Sequence, residues 1–247
     1  MRAVLLFALV LAACGSATAT ATATPRRTPA ATLVVTTSAP TAPPSVTAPA
    51  LRYVAIGASD TVGVGASDPR AGSWPARIAA RLPAGADFVN LGVSGSLAAQ
   101  AARDQVPAAV GLHPQLVTVW LAVNDLNANV SPVDYAAALR SVIAPLVSAS
   151  AARIFVGTVP DLRAVPAYAG TDQAALLARV TAYNATIAAI AASSAGRVVA
   201  VDLFTGSGPL VSTITVSADG FHPSDAGYAL IADRFAKAIA DAGIAIR

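Results

Sequence analysis

The sequence predicts an α/β fold around a five-stranded parallel sheet, and two observations carry that reading. Five short apolar runs, rich in Val or Ile and nearly unbroken, suit strands buried on both faces. Alanine-rich stretches with helical spacing lie between them. Regular alternation of the two implies right-handed crossovers, and ligands of such sheets bind beyond the carboxyl ends of the strands.

The elements follow in order. The first strand is Tyr53–Ile56, and it ends in a turn of small residues, "GASDTVGVGASD", that contains Ser59. Trp74–Leu82 has helical spacing and leads to the second strand, Phe88–Leu91, which is followed by "GVSGS". One helix is expected over Leu97–Val110. The third strand, Leu116–Leu121, runs into "AVNDLN", read as a loop. A helix over Val133–Ser148 precedes the fourth strand, Ile154–Val159, and "PDLR". Asp172–Ala192 is the next helix, and Val198–Leu203 is the fifth strand. A longer loop then ends in "ADGFHPSDAGY", and Pro223–Ala242 forms the last helix.

The first 50 residues have a different character. Arg2 precedes an unbroken apolar run, Ala3–Ala13, of 11 residues, too short to span a bilayer. Residues 1–13 read as a signal peptide ending in "LAAC", which resembles a bacterial lipobox with Cys14 as the lipidated residue. Cys14 is the only cysteine in the chain, so no internal disulfide can form. Residues 14–50 are rich in Ala, Thr and Pro and read as a tether, extended by its prolines. The expected location is the outer face of a membrane, with the lipid on Cys14 as the anchor.

Residues 51–247 suffice for one domain. The formal charge of +3 misleads, because Arg2, Arg26 and Arg27 lie outside the domain. The domain itself carries 13 Arg and Lys against 13 Asp, with no Glu at all. A neutral domain without a basic stripe argues against a nucleic-acid partner. Two histidines far apart in sequence provide no metal-ligand cluster, so no metal is expected. A monomer is expected.

The chemistry is sought at the strand ends. His113 precedes the third strand, at the wrong end of the sheet, and reads as a connector. His222 precedes Pro223, which suits a first helical turn and holds the residue before it extended. Asp219, three residues earlier, can accept a hydrogen bond from one imidazole nitrogen and leave the other as a base. A serine needs such a base to become a nucleophile, and a triad is defined by roles and geometry rather than by chain order. The plain alternative is that "HPSDAGY" is only a helix start capped by Ser224 or Asp225. The G-x-S-x-G elbow of α/β-hydrolases is absent, since the serine lies in "GASDTVG".

Four blocks in order resemble the SGNH (GDSL-type) hydrolases over about Arg52 to the C-terminal helix. In "AIGASDTVG" Ser59 matches the nucleophile; in "VNLGVSG" Gly92 matches the oxyanion-hole glycine. In "VWLAVNDL" Asn124 matches the asparagine of Gly-x-Asn-Asp, and in "DGFHP" Asp219 and His222 match Asp-x-x-His. The resemblance implies a flavodoxin-like, three-layer α/β/α sandwich without cofactor, and cleavage of carboxylic esters through an acyl-enzyme. It also implies an oxyanion hole made by the N–H groups of Ser59 and Gly92 and the Asn124 amide. The substrate would be a small molecule or an envelope ester. An acyltransferase using the same residues, or a binding protein that keeps only the scaffold, are the alternatives.

Two positions depart from the family pattern. Ala58 replaces the usual Asp and removes a side chain that could order the first turn, a role for which Asp60 is the candidate substitute. Ala122 replaces the usual Gly and is expected to narrow the pocket by a methyl group. Asp125, Ser94, Trp74 and Asn184 read as packing or loop-holding residues. Loops 67–72, 126–130, 161–170 and 205–217 are expected to shape the pocket without a large lid, which favours small or accessible acyl groups.

Overall fold

The computed structural model describes residues 50–247. The signal peptide, Cys14 and nearly all of the tether lie outside the described residues.

The element order is β1 (Arg52–Gly57), α1 (Ser59–Val62), α2 (Pro69–Gly72), α3 (Trp74–Ala79), β2 (Asp87–Asn90), α4 (Ala98–Asp104), α5 (Val106–Gly111), β3 (Leu116–Trp120), α6 (Val123–Asn127), α7 (Pro132–Ala149), β4 (Arg153–Gly157), α8 (Gln173–Ala192), β5 (Val198–Val201) and α9 (Asp225–Asp241). All five strands are parallel, in the order β2-β1-β3-β4-β5. This is the flavodoxin-like order, whose switch point lies between β1 and β3.

Alternation along the strands divides the core into two layers. Val54, Ile56, Val117, Val119 and Ile154 pack toward Leu139, Val142, Val180 and Tyr183 on α7 and α8. Tyr53, Leu116 and Phe155 pack the other way, toward Trp74, Ile78, Tyr228 and Phe235 on α3 and α9. Burying each such side chain is worth ~1.5–3 kcal/mol. The rings of Trp74 and Phe235 stack at 4.4 Å and join α3 to α9. This is the three-layer sandwich that the sequence predicts.

Three local expectations change. Strand β2 is not buried on both faces: it sits at the rim of the sheet, and Asp87 and Asn90 are exposed. The single helix over Leu97–Val110 is two, α4 and α5, broken at Gln105. Pro107 has no N–H to donate back into α4, so the helix must restart there. "VNDLN" is a short helix, α6, rather than a loop.

Candidate active site

Ser59 is the first residue of α1, two residues beyond the end of β1. The turn demands glycine at 57, since a Cβ there would lie 2.0 Å from Thr61 Oγ1 and 2.7 Å from the Trp120 carbonyl. Buried Gln105 clamps the same residue: it accepts from Gly57 N–H at 3.0 Å and donates to Gly57 O at 3.0 Å. The N–H groups of Thr61 and Val62 donate to Ala58 O. No side chain caps α1, and the Asp60 carboxylate makes no hydrogen bond among the described residues. Asp60 therefore does not replace the missing aspartate. Asn90 does part of that work from β2, donating to Thr61 O at 2.7 Å.

His222 reaches this serine from a sequence separation of 163 residues, with Nε2 3.0 Å from Ser59 Oγ. Its Nδ1 lies 2.6 Å from Asp219 Oδ2. The tautomer protonated at Nδ1 donates to Asp219 and leaves Nε2 to accept the serine proton. The local chain explains the rigidity of the arrangement. Ser217 N–H donates to His222 O at 2.8 Å, and Val216 bridges Pro223. Asp219 Oδ1 accepts from Ser217 Oγ, Phe221 N–H and His222 N–H. Burial alone would raise the Asp219 carboxyl. The hydrogen bonds from the His222 ring, the Phe221 amide, the Ser217 hydroxyl and the His222 amide outweigh it and hold the group well below the usual carboxylate range. Ser224 caps α9 by accepting from Gly227 N–H, so "HPSDAGY" both starts a helix and positions the base.

The oxyanion side departs from expectation. Gly92 N–H donates to Asn90 Oδ1 at 2.9 Å, so it is not free for an oxyanion, and the expected role of Gly92 is corrected. A Cβ at Gly92 would press on Thr61 and Asn90 at 3.0 Å, so a small residue suits the position. Three residues on, Gly95 adopts φ +79° and its N–H has no partner among the described residues. Asn124 lies at the start of α6 and spends one N–H on Ser96 O at 3.1 Å, which leaves the other. Asp125 holds structure, accepting the N–H of Ala98 at the start of α4. Ala122 has φ +96° and ψ −43°, a region that residues with a Cβ rarely occupy. Its cost therefore falls on the backbone as well as on pocket space.

The remaining residues fall as follows. Asn184 brackets Val159 by accepting from its N–H and donating to its O. Trp74 is fully buried, and His113 lies at the opposite end of β3 with φ 48°. Asn90 and Gln105 were not foreseen, and Asp60 was foreseen only as a residue that orders the first turn. Asn90 was visible only as a polar residue at the end of an apolar run, and Gln105 only as the residue two before a proline.

An open cleft of about 830 Å³, open solvent at its mouth included, adjoins the site. Loops 161–170 and 205–217 form its walls through residues such as Leu162, Val165, Leu210 and Val216; loops 67–72 and 126–130 contribute none. Asp60, Trp120 and Val123 also line a smaller hollow of about 250 Å³ that Ala122 and Asn124 close. Asp60 thus stands between the two.

A family model described as GDSL-like Lipase/Acylhydrolase matches residues 55–230. No curated protein matches the chain in sequence. Among solved structures, TesA is 20% identical, with a TM-score of 0.64 over 77% of this chain and 99% of that one. A catalytic mutant of Axe2, an acetylxylan esterase from Geobacillus stearothermophilus, is 19% identical, with a TM-score of 0.62 over 78% of this chain and 94% of that one. A family 3 carbohydrate esterase from Clostridium thermocellum is 19% identical, with a TM-score of 0.59 over 78% and 96%.

Proposed function

The chain belongs to the GDSL-like lipase/acylhydrolase family of ester-hydrolysing enzymes, and on that premise we propose that it is a serine esterase working through Ser59, His222 and Asp219. The observation that supports this most directly is the unbroken line of hydrogen bonds from Ser59 Oγ through the imidazole to Asp219.

In this reading Ser59 Oγ attacks the ester carbonyl while His222 Nε2 takes its proton. Asp219 fixes the tautomer and stabilises the imidazolium. The oxyanion is received by the N–H of Ser59, the free N–H of Asn124 and, in place of Gly92, the N–H of Gly95. Gly95 adjoins Ser96, whose carbonyl positions Asn124. One such donor is worth ~3–4 kcal/mol in the transition state. His222 then protonates the leaving alcohol, and water attacks the acyl-enzyme to regenerate Ser59. The test is turnover of p-nitrophenyl esters of increasing acyl length by residues 51–247 and by the Ser59→Ala variant. Turnover lost in the variant is expected; equal rates would refute the role of Ser59. A lipid anchor on Cys14, ahead of a tether, is part of the same proposal and rests on "LAAC".

A further inference from the structure

We propose that Asp60 is a specificity-determining residue that selects ester substrates carrying a positively charged ammonium group. The proposal rests on the esterase reading and names its substrate class.

Three features of the site carry it. Asp60 directly follows the nucleophile in the chain and lines both the cleft and the smaller hollow beside Asn124. Its carboxylate takes part in no hydrogen bond or ion pair among the described residues, although the side chain is half-buried. A half-buried carboxylate with no protein counter-charge in contact is available to a cation that enters the cleft. The walls around it, finally, are apolar and aromatic, with Trp120, Tyr168 and Phe221 among them. A sugar would need several polar partners around its hydroxyls. An alkylammonium needs one negative charge and aromatic or apolar surface, and that is what this cleft provides.

The charged groups around Asp60 fit the assignment. His222 and Asp219 act on it from the loop before α9, with opposite signs. Tyr168 and Tyr228, the other titratable groups coupled to it, are neutral at pH 7 with their hydroxyls pushed up by burial. Arg234 on the cleft wall donates to Asp202 O. Burial, partly offset by His222, raises the Asp60 carboxyl to about 6, so it is mostly ionised at pH 7 and becomes neutral in mild acid.

The test pairs each charged ester with its uncharged carbon isostere. Butyrylcholine is set against 3,3-dimethylbutyl butyrate, which places the charge on the alcohol. Ethyl betaine is set against ethyl 3,3-dimethylbutanoate, which places it on the acyl group. The readout is the charged-to-uncharged ratio of kcat/KM in the wild type divided by the same ratio in Asp60→Asn, which cancels intrinsic reactivity. At least one pair should give about tenfold or more, the loss of the coulombic attraction between one half-buried carboxylate and a quaternary ammonium. In the wild type the same ratio should rise with pH through about 6, a measurement that needs no variant. Ser59-dependent turnover with a quotient near one for both pairs, including an equal loss on both members, would overturn the inference and leave the esterase reading standing. Absence of any Ser59-dependent turnover would overturn both.

Discussion

At the scale of single residues, the side chains of the proposed triad were legible because their spacing is local or their neighbours are distinctive. Asp219 and His222 are three apart and precede a proline; Ser59 sits in a turn of small residues. Gly92 was misread because two glycines lie within four positions, and only the hydrogen bond to Asn90 shows which amide is occupied. Asn124→Ala removes a donor aimed at developing charge, so kcat should fall ~10²–10³-fold with little change in KM. A change mainly in KM would refute that role. Ala122→Gly tests the strained backbone. Relief of ~1–3 kcal/mol at φ +96°, less the entropic cost of glycine, should leave the protein about 1 kcal/mol more stable. Thermal melting should then shift upward by about 2–4 °C; an unchanged or lower midpoint would show that the turn carries no strain.

At the scale of elements, β1, β3 and the long helices were legible because their apolar pattern dominates everything nearby. What the pattern missed is how short elements are tied together. Helix α1 has one turn and no side-chain cap, so it cannot be stable by itself. It is held through Gln105 at the α4–α5 break and Asn90 at the end of β2. These are contacts 48 and 29 residues apart, and no local pattern encodes them. Gln105→Leu leaves the N–H of Gly57 without its buried acceptor and removes a donor from Ser96 Oγ, while Gly57 O keeps the N–H of Val93. It should cost about 2–4 kcal/mol in chemical denaturation and lower kcat together with stability. Full activity and stability in this variant would show that the clamp is incidental.

At the scale of the whole molecule, the parallel sheet and its strand ends were predictable from alternation, and the position of β2 at the rim was not. Strand order depends on which crossovers pass over which face, and an apolar run of four residues does not announce that it will be an edge. The proposed anchor is a whole-molecule property too. The full-length chain should partition into the detergent phase on Triton X-114 separation and the Cys14→Ala variant into the aqueous phase. Equal partitioning of the two would remove the lipid from the proposal.

The line from Ser59 to His222 joins residues 163 positions apart, with the base on the approach to the final helix. In time rather than space, the nucleophile is made early and its activator almost last. In the proposed mechanism a nascent chain carries Ser59 through 163 further residues with no base to activate it, and a product truncated between residues 59 and 222 keeps the serine but not the reaction. On that reading the chain becomes a catalyst only once His222 has joined it.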